Sequence, residues 1–401
     1  MKTAARRAAS VFALVMFCGP GPTLARAQGT GRSLNLDPSI RAAGMAGASN
    51  AVFWGDDANQ WANPALVAYH RGLRYEWGKT RLLPTLASDV FFRSELLKLG
   101  GGGLAIWTAG LPRADLGRLD LDYGENEATD PSGNWIGTFR SFERIDSWGW
   151  ALSVAQLTES FARLAGKRLM SWSRYGDVSF GMSEKDLLMN LDPFLRAATT
   201  ARDLGLLVRA TPLRISLSPR GLAVPVRADV AYGWSVLSFN DATVALGQPP
   251  PPVSRHRRHG VATHVALGWP ETLMQGFADR GLAWLAHGFD PLLSIGLASD
   301  RAEISAADAE PSYRTTGTGW EFTVANVFSW RTGSYEDRAG NIVDDTAGWS
   351  LGLHLGDFAG FRFDRALFPE ALDSGLPDVT RKGFSAFLDP VSLWSLVRGA
   401  R

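Results

Sequence analysis

Residues 226–236 read VRADVAYGWSV, and this stretch decides the fold class. Apolar side chains occupy every second position from Val226 to Val236, while Arg227, Asp229 and small residues occupy the positions between them. Successive side chains of a strand point to opposite faces, so a period of two predicts a strand with one apolar face and one small or polar face. Its length matches the ~9–11 residues that a tilted membrane-spanning strand needs.

Three further stretches repeat this alternation, at 147–154, 320–331 and 347–356. Tryptophans lie near the ends of the four predicted strands, as expected for the aromatic girdles of an outer-membrane barrel; they are Trp148, Trp234, Trp320, Trp330 and Trp349. The opposite faces carry Gly, Ser, Ala, Thr and a few charges, which suits a lumen. A soluble sandwich explains any single strand, but its strands average only ~5–6 residues. Several long strands of this kind favour a closed barrel.

Further strand candidates follow the same rhythm, at 71–80, 86–94, 103–111, 135–145, 175–183, 202–210, 213–220, 260–269, 289–299 and 358–364. The predicted fold class is all-β, a transmembrane antiparallel β-barrel of about 14 strands. Two stretches, 184–198 and 272–286, are predicted to be helical. Turn chemistry marks 130–134, 247–252 and 337–341 as loops.

The composition excludes several classes of protein. Aromatic residues make up 11% of the chain, which is too high for a disordered chain. The mean hydropathy of −0.06 and the lack of a long uncharged apolar run exclude a helical membrane protein. A single cysteine excludes a disulfide or zinc scaffold. The near-neutral charge gives no reason to expect a nucleic-acid partner.

Residues 1–27 are predicted to be a signal peptide. A basic start precedes the apolar run Val11–Phe17, and the small-x-small pattern at Ala25–Ala27 predicts cleavage between Ala27 and Gln28. Cleavage would shift the net charge from +1 to −3, since it removes four basic residues and no acid: Lys2, Arg6, Arg7 and Arg26. Together with the barrel pattern, this predicts export to the outer membrane of a Gram-negative-type bacterium.

The stretch from Ser33 to Tyr69 does not alternate. Small residues fill 42–48, a turn is expected at 55–57, and Asn63-Pro64 fixes a second turn. These features predict a compact segment that packs tightly ahead of the first strand, although a surface loop has the same composition.

The same stretch resembles the N-terminal hatch of the FadL superfamily of outer-membrane barrels. The matching positions are Arg41, Gly44, Met45, Gly47, Ala48, Asp56, Asp57, Ala58, Asn63, Pro64, Ala65 and Leu66. Later stretches resemble the PorV/PorQ branch of that superfamily: 203–207 a mid-barrel strand, and 320–321, 331–335, 348–353 and 361–364 its closing strands. The resemblance implies a barrel with the N-terminal segment folded inside as a plug.

The expected organisation is therefore a signal peptide at 1–27, a hatch at 28–69, the barrel at 70–369 and a C-terminal tail at 370–401. Many outer-membrane barrels end in an aromatic residue, whereas this chain ends LVRGAR. Either the assembly signal is internal, near Phe361–Asp364, or the apolar stretch 384–397 docks on a partner.

No catalytic motif is evident, and the chain is not predicted to be an enzyme or to bind a cofactor or metal. His256 and His259 are expected in a solvated basic loop, with a metal or lipopolysaccharide-phosphate contact as the alternative. His264 and His354 are expected to line the lumen. The glycines at 100–103 lack the Lys-Ser/Thr of a phosphate loop and are read as a turn.

Three functions fit these expectations. The first, favoured by the PorV/PorQ resemblance, is a non-enzymatic scaffold or shuttle for exported protein. The alternative is a diffusion channel for a hydrophobic, fatty-acid-like solute gated by the hatch, and a purely structural barrel is the third. The expected partners are outer-membrane lipid and either a secretion-machinery protein or a hydrophobic small molecule.

Overall fold

The computed structural model covers most of the chain after residue 30. It describes residues 31–55, 57–83, 85–109, 118–130, 132–167, 171–192, 195–218, 222–244, 250–280, 288–306, 313–356, 358–370 and 377–399.

Fifteen antiparallel strands form one sheet that closes on itself, because β1 pairs with both β2 and β15. The strands are β1 (Gly72–Leu83), β2 (Ala87–Gly101), β3 (Leu104–Ala109), β4 (Leu119–Thr129), β5 (Trp135–Ser153), β6 (Gly176–Asp192), β7 (Leu195–Leu217), β8 (Val224–Leu237), β9 (Ser254–Leu267), β10 (Leu293–Ala306), β11 (Tyr313–Val324), β12 (Phe328–Asp337), β13 (Ile342–Leu355), β14 (Ala359–Phe368) and β15 (Val379–Leu388). Closure pairs the edge strands, so the barrel presents no free sheet edge.

β3 and β4 share one position in the barrel wall. Both pair with β2 on one side and β5 on the other. Ala109 lies opposite Ser147 and Leu119 lies opposite Ile145, so the two ladders are almost continuous on β5. The fifteen strands therefore occupy fourteen positions, and the predicted barrel of about 14 strands is confirmed.

Short helices precede the barrel, and others lie at the end where β1 begins and β15 ends, called the terminus end below. Ahead of β1 lie α1 (Arg32–Asn35), α2 (Ile40–Gly44) and the 3-10 helix η1 (Pro64–Tyr69). Between or after strands lie α3 (Val154–Leu164), η2 (Trp172–Arg174), α4 (Glu271–Asp279) and α5 (Pro390–Gly399). Among the residues described above, no helix is long and apolar enough to span a membrane.

The two faces of the strands differ as the alternation predicts. On β13, Trp349, Leu351 and Leu353 point outward and are exposed, while Ser350 and His354 point inward and are buried. The five tryptophans expected in a girdle all lie on the outer face. Trp234 and Trp330 lie within three residues of a strand end, in β8 and β12, whereas Trp148, Trp320 and Trp349 lie further inside β5, β11 and β13.

Several predicted strand boundaries were wrong. The stretch 320–331 is two strands, β11 and β12, joined by a tight turn in which Ala325 and Asn326 adopt φ of 48° and 54°. Conversely, 135–145 and 147–154 form the single strand β5, and 202–210 and 213–220 fall largely in β7, whose register shifts between Ala210 and Leu213. Apolar alternation continues through both kinds of boundary, so it could not mark them.

The helix predicted at 184–198 was wrong, because this stretch is the hairpin of β6 and β7 around 193–194. Leu187 and Met189 are buried toward the lumen, whereas Leu188 faces outward, so the true period is two. The helix predicted at 272–286 is present as α4 only to Asp279, and 281–287 lie outside the described residues.

Two strands, β4 and β15, were not predicted. β15 closes the barrel against β1, so the wall runs from Gly72 to Leu388 and the expected tail at 370–401 is wrong in its first half. In β15, Arg381 and Lys382 interrupt the apolar alternation that marks a strand. In β4, three acids interrupt it: Asp120, Asp122 and Glu125. The remainder of the expected tail forms α5.

Candidate functional site

Residues 31–70, called the hatch below, lie inside the barrel. α2 packs against β13 and β14, and η1 packs against β5, β6 and β7. Ala48, Ala51 and Val67 have no exposed surface. The hatch therefore fills the lumen as a plug between opposite walls.

Glycines on the inner wall let the hatch backbone approach closely. A Cβ at Gly319 would overlap the carbonyl oxygen of Met45, and a Cβ at Gly181 would overlap the backbone of Pro64. The hatch backbone also approaches Gly205, Gly233, Gly317 and Gly348, and the indole ring of Trp54 lies against Gly296. Small residues therefore occur on the lumen face because the hatch occupies that space.

A buried ionic cluster fastens the hatch to the wall between β11 and β14. The cluster, called the hatch lock, comprises Arg41, Asp57, Glu321, Arg331, Arg362 and Asp364. Arg41 in α2 donates to Glu321 through Nε at 3.0 Å and through Nη2 at 2.6 Å. Its Nη1 also donates to the carbonyl oxygen of Trp54 at 2.7 Å and to Asp57 at 3.1 Å. The two-point contact fixes the position of α2.

The wall side of the hatch lock comes from β11, β12 and β14. Arg331 on β12 donates to Glu321 and, at 3.0 Å, to Asp364. Arg362 lies 3.6 Å from Asp57 and 3.4 Å from Asp364. Three guanidinium groups thus face three carboxylates, which is the compensation that buried charges require.

On the hatch side of the lock, electrostatic attraction outweighs burial in setting the pKa values of Asp57 and Arg41. Burial by itself would raise the pKa of Asp57, but the guanidinium groups of Arg362, Arg41 and Arg331 lower that pKa to about 2. Burial would lower the pKa of Arg41, but Glu321 and Asp57 raise it. Both groups are therefore charged at neutral pH.

A second polar anchor holds the middle of the hatch. Asp300 on β10 accepts from the backbone N–H groups of Ser49 and Asn50 at 2.8 and 2.7 Å. Arg258 on β9 donates to Asp300 at 3.1 Å and to the Gly47 carbonyl at 3.0 Å. The anchor neutralises the Asp300 charge while satisfying two buried backbone donors.

The Asn-Pro turn is a third anchor. The Oδ1 atom of Asn63 accepts from Ala65 N–H and caps η1, which Pro64 begins. Its Nδ2 atom donates to the carbonyls of Asn50 and, on β7, Leu206, at 2.9 and 3.0 Å. One side chain therefore joins two parts of the hatch to the wall.

The opposite side of the lumen is mixed, because buried charged side chains lie among its apolar residues: Lys98, Glu143, Lys185 and Asp203. Its apolar inner-face residues on β2 to β7 form one cluster with the hatch, called the apolar column: Leu34, Trp61, Val67, Phe92, Leu96, Trp107, Leu119, Leu121, Ile145, Leu187 and Met189. Ala242, Val244 and Val253, from the connection between β8 and β9, join the same cluster at the far end. Apolar contacts thus extend from η1 to the end of the barrel opposite the terminus end.

The structure gives each predicted motif residue a place. Gly44 lies against Gly348, and Gly47 adopts a φ of 74°. The buried members are Met45, Ala48, Asn63, Pro64, Ala65 and Leu66. Asp56, Ala27 and Gln28 lie outside the described residues.

Sequence reasoning missed the wall partners of the lock. Glu321, Arg331 and the 361–364 stretch were noted only as strand motifs, because pairing between residues 280 positions apart leaves no local pattern. The sequence feature that could have indicated these partners is an isolated charged residue on a strand face made of small residues.

The histidines are partly as expected. His264 and His354 are buried on the lumen face, and His264 stacks on Trp54 with ring centroids 5.0 Å apart. The expected loop around His256 and His259 was wrong, since both lie in β9, whose alternation was masked by arginines. Among the described residues, no cluster of His, Cys, Asp and Glu is arranged to hold a metal ion.

These features define a class, the β-barrel closed by its own N-terminal hatch. No protein-family model and no curated protein sequence matches the chain. Three solved structures with which it shares 9% identity are similar. They are the TodX deltaS2S3 mutant monoaromatic hydrocarbon channel (TM-score 0.42, covering 87% of this chain and 98% of that one), a Pseudomonas aeruginosa FadL homologue (0.37, 88% and 98%) and the Pseudomonas putida toluene transporter TodX (0.35, 86% and 95%).

Proposed function

We propose that this chain is an outer-membrane transport barrel of FadL type that admits a hydrophobic small molecule past a movable hatch. Apolar side chains lie on the outer face of the barrel, as a membrane-spanning barrel requires. The predicted signal peptide supports export to the outer membrane. We assign the terminus end, where β1 begins and β15 ends, to the periplasm, because an exported chain reaches the membrane from that side.

The observation that carries the proposal is the apolar column. A channel for water-soluble solutes has a polar lumen, whereas inner-face Phe92, Leu121 and Leu187 belong to a continuous apolar cluster in this lumen. The hatch lock lies on the opposite wall, and the buried lysines beside the column are paired, Lys98 with Glu76 and Lys185 with Asp203. An apolar solute would therefore contact the column without breaking the hatch lock.

On this proposal, the hatch of the structure corresponds to a closed channel. A cavity of about 50 Å³ lies between α2 and the wall, lined in part by Ile40, Gly78 and Leu96. Pockets that enclose an organic ligand measure roughly 300–1,000 Å³, so the hatch must move before a solute passes. A solute shifts the hatch only if it binds the open state more tightly than the closed state.

A PorV/PorQ-like scaffold for exported protein is the second candidate. Helices at the terminus end expose large apolar side chains, among them Phe161 and Leu164 on α3 and Val391 and Trp394 on α5. A protein partner would cover such residues. Native mass spectrometry of protein extracted in mild detergent separates the candidates, since the scaffold predicts a stoichiometric protein partner and the channel a bound lipophilic molecule.

The direct test is permeation of an apolar fluorescent probe into proteoliposomes, compared with a charged probe of similar size. The variant Phe92→Gln/Leu121→Gln puts two amides opposite each other in the column, and Ser385→Asn on the polar wall is the matched control. We expect the double variant to lower apolar-probe entry about tenfold and the control to leave it unchanged. Equal entry by all three proteins, with folded barrels on semi-native gels, would contradict the channel.

A further inference from the structure

Four basic side chains form a continuous row on the outer face of the barrel. Lys79 on β1 lies directly opposite Arg93 on β2 and Lys382 on β15, and Lys382 lies opposite Arg365 on β14. Their chain neighbours point inward: Gly78 and Gly383 face Ile40 of the hatch. The four cations therefore share one face on four adjacent strands, and with a strand spacing of ~4.8 Å the row is about 14 Å long.

Nothing on the barrel neutralises most of this row. Arg93 is paired with Asp120 at 3.0 Å. Lys79, Lys382 and Arg365 are exposed, and no ion pair to an acid is formed by them within the described residues. The Nζ atom of Lys79 lies 4.1 Å from the centroid of the Phe91 ring. Like charges directly opposite one another destabilise a sheet, so the row has a cost that an external anion would remove.

An aromatic row lies directly below, toward the terminus end. Phe363, Phe384 and Trp77 are mutually opposite on β14, β15 and β1, each two residues from a cation of the basic row. The Trp77 and Phe384 rings stack with centroids 5.5 Å apart. Aromatic side chains favour the boundary between hydrocarbon and headgroup, which places the basic row at headgroup height.

We propose that the basic row binds the phosphate groups of the glycolipid of the outer leaflet, a lipid A-type molecule, whose acyl chains lie on the aromatic row. Exposed Lys and Arg pair with phosphate oxygens by charge-assisted hydrogen bonds. Lys79 and Lys382 lie nearer the end opposite Gly72 and Leu388, which the proposed orientation places on the outer-leaflet side. A lipid with two phosphates on one headgroup engages more of the row than a lipid with one. This inference rests on the membrane insertion proposed above, but not on the transported solute.

The test titrates lipid A into the full-length protein in neutral detergent and follows binding by native mass spectrometry and thermal stability. Dephosphorylated lipid A, phosphatidylglycerol and inorganic phosphate are the comparison probes. The test variant is Lys79→Gln/Arg365→Gln/Lys382→Gln, and the matched control removes three exposed outer-face cations elsewhere: Arg196→Gln/Arg257→Gln/Arg314→Gln. We expect the test variant to bind lipid A at least about tenfold more weakly and the control to bind it as the wild type does.

The variant should fold, because it removes only exposed like charges, and in neutral detergent it should be at least as heat-stable as the wild type. Equal lipid A binding by the wild type and the test variant would overturn the proposal, as would equal binding of dephosphorylated lipid A. Preference for phosphatidylglycerol or inorganic phosphate would overturn the assignment to the outer-leaflet glycolipid. If lipid A binding fails these tests while apolar-probe permeation is unchanged, the lipid proposal is wrong and the channel proposal stands. A chain that does not insert into membranes would contradict both proposals.

Discussion

Arg41 and Glu321, 280 residues apart in sequence, form a two-point ion pair across the lumen, with N···O distances of 3.0 and 2.6 Å. This pair joins the hatch to the wall, and both side chains are almost fully buried. Because it links parts of the chain that the barrel alone would leave separate, it ties the position of the hatch to the closed state.

Removing Arg41 should loosen the hatch. Arg41→Met leaves the Glu321 carboxylate buried with one cation fewer, and loss of one partner of a buried pair costs about 3–5 kcal/mol. Urea unfolding should show this loss, and probe permeation should rise. The exposed Arg314→Met is the control and should change stability by less than about 0.5 kcal/mol. An Arg41→Met protein as stable and as closed as the wild type would show that the lock does not hold the hatch.

A side chain at Gly319 should displace the hatch without opening the barrel wall. In Gly319→Val the new Cβ meets the Met45 carbonyl oxygen, so α2 cannot seat. Limited trypsin digestion should then cut the hatch at Arg41 several times faster, while semi-native gels still show a folded barrel. Gly101→Val, where a Cβ meets nothing within 4 Å, should be cut as slowly as the wild type. Equal digestion of the two variants would mean that hatch seating does not depend on this contact.

Acid should weaken the lock through Asp57. Its pKa is lowered from 3.8 to about 2 in the folded chain. The stability that the ionised carboxylate contributes is therefore complete above pH 3.8 and is lost as the pH falls through 2. Asp57→Asn should be less stable than the wild type by about 2 kcal/mol at pH 7, and the difference should vanish near pH 2. A difference independent of pH would assign the effect to packing rather than to charge.

Asn63 should tolerate Ala better than Asp. Asn63→Ala loses the η1 cap and two buried hydrogen bonds, at a cost of about 2–4 kcal/mol. Asn63→Asp keeps the cap acceptor but replaces the two Nδ2 donors with a charge facing the Asn50 and Leu206 carbonyls. The free energy of unfolding in urea should be highest for the wild type, lower for Asn63→Ala and lowest for Asn63→Asp. The reverse order of the two variants would mean that the cap acceptor contributes more stability than the two Nδ2 donors.

The sequence predicted the barrel because alternation is a local property. The predicted number of strands agreed partly through compensation: β5 and β7 were each split, β11 and β12 were merged, and β4 and β15 were missed. Boundaries failed where alternation passed through a tight turn, as at Ala325, or where a buried Leu187 and an outward Leu188 together resembled one face of a helix.

The hatch motif was visible in the sequence, but its partners were not. Asn63 and Pro64 mark a turn locally, whereas Glu321 and Asp300 acquire meaning only when the closed barrel brings them to the hatch. The basic row is likewise invisible in sequence, since Lys79 and Lys382 meet only through strand closure.

The most direct measurement asks whether the hatch must move for a solute to pass. A Cβ at Gly44 in α2 would lie 3.5 Å from the Cβ of Arg331 on β12, so Gly44→Cys/Arg331→Cys places the two Cβ atoms at the distance that a disulfide requires. The only native cysteine, Cys18, precedes the predicted cleavage site and does not compete. The oxidised protein should block apolar-probe permeation and the reduced protein should restore it, with both forms folded. Equal permeation by the oxidised and reduced proteins would contradict a gate made by the hatch.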